Sequence, residues 1–176
     1  MEYLFYRKES QNINQVDLAL ESQYTFKLWH PEISSIVPSG IPLTPFAAWW
    51  VMHYLHVFRN SGYGLFLVYH GRALVHRSGI FPGYFRFPFM SGDDLQIGDI
   101  WTHPDHLRRG IASFAVQQII LSKGRAGRNF WYIVKRGNLS SIRVIEKAGF
   151  VKVGKGERVK RFGLRLPGFF RIIQER

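Results

Sequence analysis

Apolar and polar positions alternate along YTFKLWH, residues 24–30, and this aromatic-rich period of two predicts a strand. A loop with several Pro and Gly follows, EISSIVPSGIPL. Thr44 and Pro45 then have the chemistry of an N-cap and a first helical position, so a helix is expected over roughly 45–59. That helix would be unusually aromatic, with Phe46, Trp49, Trp50, Tyr54 and Phe58. YGLFLVYH (63–70) and RALVHRSG (72–79) flank His70–Gly71 and predict a hairpin. FPGYFRFPFM, residues 81–90, breaks its aromatics with Pro, Gly and Arg86, which suits a loop with extended pieces.

The next strand is LQIGDIWT, residues 95–102. The pattern then changes to a helical one in IASFAVQQIILSKG, with Ile111, Phe114, Ala115 and Ile119 on one face and Gly124 as the stop. NFWYIVK (129–135) is a strand, and NLSSIRVIEKAG is a short helix between Asn138 and Gly149. FVKVGKGERVKRFGLRL predicts two more strands. Strands and helices in this order give α/β with a mixed sheet. With 176 residues and no internal repeat, a single domain over 1–176 is expected.

Composition narrows the chemistry. The chain has no cysteine, so disulfides, thiolate metal sites and cysteine nucleophiles are excluded. A formal net charge of +12 calls for an anionic partner. MEYLFYRKES has no long apolar run of a signal peptide, and AAWWVMHYLHVF is too short and carries two histidines for a membrane span. The expectation is a cytoplasmic protein without membrane contact. His53 and His56 are three apart but bring no third ligand at metal spacing, so they are ordinary helix residues and no metal is expected. His70 and His76, beside the hairpin turn, are expected to be exposed.

Candidate binding chemistry concentrates in THPDHLRRGIA, where Arg108 and Arg109 precede Gly110 at a strand-to-helix junction. The first amides of a helix lack intrahelical partners, and with the macrodipole they attract anions. Gly110 and Ala112 keep backbone accessible, and the arginines add charge that can grip phosphate with paired hydrogen bonds. This reads as a pyrophosphate cradle. It is no Walker loop, because the Gly-Lys-Ser/Thr ending is missing.

The block IGDIWTHPDHLRRGIASFAV resembles the central motif of the GNAT superfamily of acetyl-CoA-dependent N-acetyltransferases: a strand, an Arg/Gln-x-x-Gly-x-Gly/Ala loop and a helix. Leu107 stands where that pattern has Arg or Gln. RNFWYIVKRGNLSSIRVIEKAGFVKVG is similar to the family's second block, and together the two cover residues 95–154. The resemblance implies a mixed, mainly antiparallel central sheet with helices on both faces. It also implies acetyl-CoA as co-substrate, held by the backbone of Ile100, Trp101 and Thr102, by Leu107, Arg108, Arg109, Gly110, Ile111 and Ala112, and by Asn138. The position seven after Asn138, where many members have a tyrosine, is Ile145.

Asp99 could orient or deprotonate an amine, or simply form a strand-edge salt bridge. Ser141 could point toward the sulfur, or be a small packing residue. Tyr84, Phe85 and Arg86 could form a lid over an acceptor, whereas Trp49 and Trp50 read as core. The expected activity is acetyl transfer to a primary amine of a small acceptor, an amino sugar or nucleotide-linked amino sugar being favoured. Acetylation of a ribosomal or other protein N-terminus is one alternative. The other is a basic, non-catalytic RNA-binding module that uses VKVGKGERVKRFGLRLPGFFR. For the enzyme a nucleic-acid partner is disfavoured, and the aromatic helix could serve a homodimer.

Overall fold

The computed structural model describes residues 2–10, 20–32 and 35–173, and for 164–167 the backbone alone. The strands are β1 (Glu2–Glu9), β2 (Tyr24–Trp29), β3 (Gly64–His70), β4 (Ala73–Pro82), β5 (Leu95–Thr102), β6 (Asn129–Lys135), β7 (Val151–Arg161) and β8 (Leu164–Ile173). The helices are α1 (Leu43–Tyr54), α2 (Ile111–Lys123) and α3 (Leu139–Lys147). One eight-stranded sheet runs in the order β2-β3-β4-β5-β6-β1-β7-β8, and only β5 and β6 pair in parallel.

Alternation along the strands sends side chains to two cores. Phe66 and Val68 of β3 join Phe114, Ala115 and Ile119 of α2 and Ile145 of α3 on one face. Leu65 and Leu67 join Phe46 of α1, Phe81, Tyr84 and Trp131 on the other. Helices therefore cover both faces of a mainly antiparallel sheet, as the sequence led us to expect. No helix among the described residues is long and apolar enough to cross a membrane.

Four local readings need correction. β1 was not anticipated, yet it lies in the interior of the sheet between β6 and β7. Its apolar run carries no turn to a neighbour, because its partners lie 120 residues or more away, as in Glu9↔Asn129. α1 starts at Leu43 after Pro42, with no side-chain cap, so Thr44 lies inside the first turn. It stops at Tyr54 because His56 adopts a left-handed φ of 53°. Phe58 is thus beyond the helix, stacked on Tyr63 at 5.4 Å. The hairpin turn is Gly71–Arg72, with His70 opposite Ala73 and Gly71 at φ 59°. His76 is fully buried rather than exposed, because its ring nitrogens are satisfied by Thr102 Oγ1 and Ser78 Oγ, each at 2.8 Å.

The loop after β4 packs down instead of standing free. Tyr84, Phe87 and Met90 are buried in the α1-side core. Arg59 N donates to Gly83 O and Phe170 N to Arg86 O, at 2.8 and 2.9 Å, while the Arg59 guanidinium bonds Met90 O.

Candidate acyl-donor cleft

β5 and β6 are cross-linked where they begin and separate where they end. The buried Asp94 carboxylate accepts from Asn129 N, from the Asn129 amide and from Trp131 Nε1, the last at 2.8 Å. Burial pushes this carboxyl's pKa up, but donors from Trp131, Ser91 and Asn129 outweigh it and hold the group below its ordinary value. Register then runs Leu95↔Phe130, Gln96↔Trp131, Ile97↔Tyr132 and goes no further. On its other side β5 carries a bulge: Arg77 faces Trp101 and Gly79 faces Gly98, so Asp99 and Ile100 together oppose Ser78. Asp99 takes a left-handed φ of 48° there.

The parted strands open into a cleft of about 690 Å³, a size that suits a small organic ligand. β5 contributes Ile100, Trp101 and Thr102, and β6 contributes Tyr132. The rest of the wall comes from His106 to Arg108, the start of α2 and the first two turns of α3. Among the described residues no carboxylate lines it, whereas Arg108 and Arg143 do. Of the sequence-derived residues, Ile100, Trp101, Thr102, Leu107, Arg108, Gly110, Ile111, Ala112, Asn138 and Ser141 are brought together on this one surface. Arg109 is not among them and lies 3.8 Å from Glu21.

Gly110 explains the cradle's shape. It is the N-cap of α2 with φ 75°, and Arg108 is left-handed too at φ 64°. A side chain at 110 would meet nothing within 4 Å, so conformation, not crowding inside the protein, demands glycine. The first internal bond of α2 runs from Phe114 N to Gly110 O, and no side chain caps the helix. The amides of Ile111, Ala112 and Ser113 therefore stay available to an anion. Asn138 caps α3: its Oδ1 accepts from Ser141 N at 3.2 Å and Ser140 Oγ at 3.0 Å. Its Nδ2 donors remain for a ligand.

The other candidate residues lie outside this cleft. Asp99 is salt-bridged to Arg77 at 3.3 Å and borders a void of about 10 Å³ with Trp49, Tyr63 and Pro45. Tyr84 is a core residue, Phe85 is exposed, and the Arg86 guanidinium stands 5.9 Å from the Trp49 ring centroid. Sequence reasoning missed Tyr132, His106, Ser113, Ser140 and Arg143 as cleft residues. His106 Nδ1 is 2.8 Å from the Tyr24 hydroxyl. Only their proximity to the two motifs could have suggested them.

Fold and cleft together define a mixed α/β protein with an open cleft where two parallel strands separate. The sequence model of the acetyltransferase (GNAT) family matches residues 39–150. The chain belongs to that family. Among solved structures, a Drosophila protein superposes with TM-score 0.58 at 14% identity, over 88% of this chain and 48% of its own. A GCN5-related N-acetyltransferase from Sphaerobacter thermophilus gives 0.57 at 14%, over 88% and 49%. A GNAT-family acetyltransferase from Colwellia psychrerythraea gives 0.54 at 16%, over 86% and 52%. At such identities the likeness shows the fold alone, and the chain spans about half the length of these structures. The sequence matches no curated protein.

Proposed function

We propose that the chain transfers an acetyl group from acetyl-CoA to the primary amine of a small acceptor. The observation that carries this reading is the cleft, lined by no carboxylate among the described residues, that runs from the open β5–β6 fork to the bare amides after Gly110. A diphosphate fits the cradle, with Arg108 beside it. The pantetheine arm extends along Ile100, Trp101 and Thr102, whose backbone lacks a β6 partner, and Asn138 Nδ2 donates to it. A β5 amide beyond the bulge polarises the acetyl carbonyl. Acetyl-CoA as donor accords with a cytoplasmic setting.

Transfer needs a neutral amine. Asp99 can orient the ammonium and take its proton by way of water, since its side chain is 41% exposed despite the Arg77 pair. Exposed Phe85 and Arg86 beside Trp49 are the loop's remaining candidates for acceptor contact. Among acceptors we favour an amino sugar, free or nucleotide-linked, on aromatic stacking and positive charge. Acetyl-CoA should raise the melting temperature. Release of free CoA over a panel of amino sugars, amino acids, polyamines and peptides then identifies the acceptor, and a peptide hit would favour protein N-terminal acetylation.

A second reading draws on Lys160, Arg161 and the 87% exposed Phe162 at the β7–β8 turn. Steeply salt-dependent RNA affinity with no response to acetyl-CoA would favour a non-catalytic RNA-binding module.

A further inference from the structure

We propose that the outer face of α1, with the β7–β8 turn on the same side of the sheet, docks on an anionic lipid bilayer. From Ile33 to Phe58 the chain has no Asp, Glu, Lys or Arg, although 20% of the whole protein is charged. A helix that is apolar all round is normally covered on every side. α1 is covered on one side only. Phe46 is buried in the core, and Trp49, Trp50 and Met52 pack against it. On the other side Ala48, Val51 and Leu55 follow one another at helical spacing, with Leu43 at the head of the helix and Tyr54 beside Leu55. All five are exposed, Leu43 by 67% and Leu55 by 70%. Ile36 and Val37, in the loop before the helix, are exposed as well. So many large apolar side chains in one uncharged stretch mark a contact surface.

The rim of this face decides what it meets. Arg86 reaches from the loop after β4 to the Trp49 ring, and its carbonyl accepts from Phe170 N of β8. Phe170 packs on the α1-side core and faces Arg158 across the β7–β8 ladder, which puts Arg158 on that side of the sheet too. The hairpin ends in Lys160, Arg161 and Phe162, all exposed, with the Arg161 guanidinium 5.8 Å from the Phe162 ring centroid. Glu157 is the one carboxylate along β7, and Arg171 bonds it at 2.7 Å. The rim is therefore cationic.

An anionic bilayer satisfies both parts. Aliphatic side chains enter the acyl boundary, Trp and Tyr sit at headgroup level, and Lys and Arg meet the lipid phosphates. A second copy meeting this face across a two-fold axis would set the cations of the two rims against each other. A nucleic-acid backbone offers nothing to Leu43, Val51 and Leu55. With 12 residues, α1 lies on the bilayer and does not cross it. Docking thus adds a contact that span length alone did not predict. It is independent of the acetyl-transfer reading, since none of these residues lines the cleft.

The probe is vesicles of phosphatidylcholine and phosphatidylglycerol in equal parts, with phosphatidylcholine alone as the control. Wild type should sediment with the mixed vesicles, only weakly with the control, and added salt should release it. Val51→Asp/Leu55→Asp should bind the mixed vesicles about tenfold more weakly or worse, through lost apolar burial. Lys160→Glu/Arg161→Glu should lose about twentyfold, on a scale of about fivefold per neutralised cation. Both variants change exposed side chains, so their melting and CoA titrations should match wild type. Lipids brominated on their acyl chains should also quench the tryptophan emission of wild type, a readout that needs no variant. Wild type left in the supernatant with mixed vesicles would overturn the proposal. So would undiminished vesicle binding by folded Val51→Asp/Leu55→Asp, which would leave charge alone as the cause. A wild-type dimer that this variant turns into monomer, without vesicle binding, would assign the face to a second copy instead.

Discussion

Two interruptions flank β5, and they have opposite fates. Between β5 and β6 pairing stops after three residues, and the gap opens into a cleft of about 690 Å³. Between β4 and β5 the bulge at Asp99 breaks the ladder, yet the space beside it is about 10 Å³, barely room for one water. Aromatic packing makes the difference. On the bulge side Trp49 lies 4.5 Å from Phe81, and Tyr63 is fully buried between Phe58 and Trp29. On the fork side the flanking helices present Ala112, Ser113, Ser140 and Ser141. Here a broken ladder yields an open cleft where the neighbouring helices bring small side chains and free amides. Where they bring rings, the same break becomes core.

The closed side is most sensitive to lost volume. Phe81→Ala should cost about 3–5 kcal/mol of stability in urea titration, because Trp49 and Tyr63 pack on that ring. CoA affinity of the folded fraction should stay near wild type, and a collapse of both together would erase the distinction between the two sides.

The open side should respond in the reverse manner. Gly110→Val should weaken CoA binding about a hundredfold in calorimetry, by placing a branched side chain at the mouth of the cradle. Its cost to stability should be only about 1–2 kcal/mol, from the left-handed backbone. Unchanged CoA affinity would remove the cradle from the site.

His76 links the two sides, since it joins β4 to Thr102 on the cleft wall. Burial lowers its pKa from 6.5 to about 3. The unfolded chain therefore binds a proton below pH 6.5 that the native protein does not. Stability is lost as pH falls through that window, by up to about 1.4 kcal/mol per pH unit. His76→Gln should flatten the dependence between pH 6.5 and 4.5 in denaturant titrations. An unaltered slope would mean that the acid sensitivity arises elsewhere.

Arg77→Ala should have the smallest effect on folding, below about 1 kcal/mol, because its partner Asp99 is substantially solvated. The acetyl-transfer rate is the sharper measure. Loss of about a hundredfold in Asp99→Asn with normal melting would make Asp99 a reacting group rather than half of a salt bridge.

The elements nearest the cleft were the most legible from sequence. α2 follows from its apolar period and the glycines at 110 and 124, and α3 from Asn138, whose carboxamide caps it in the structure. These are short-range effects, each decided within a few residues. The cleft residues that escaped notice, such as Tyr132, look in sequence like any other position of a β-strand. His76 was misjudged for a related reason, since one of its two partners, Thr102, is 26 residues away.

By itself the sequence determined the mixed α/β character, the glycine that precedes α2, the capped start of α3 and the surplus of positive charge. Periodicity, capping and backbone sterics act locally and can be read along the chain. Only the tertiary structure decided that β1 enters between β6 and β7, that β5 and β6 part after Ile97 and Tyr132, and that His76 and Tyr84 are buried. Strand and side-chain partners are selected over separations from 26 residues, as for His76 and Thr102, to more than 100, as for β1, by which faces can be buried together, and no local pattern encodes that choice.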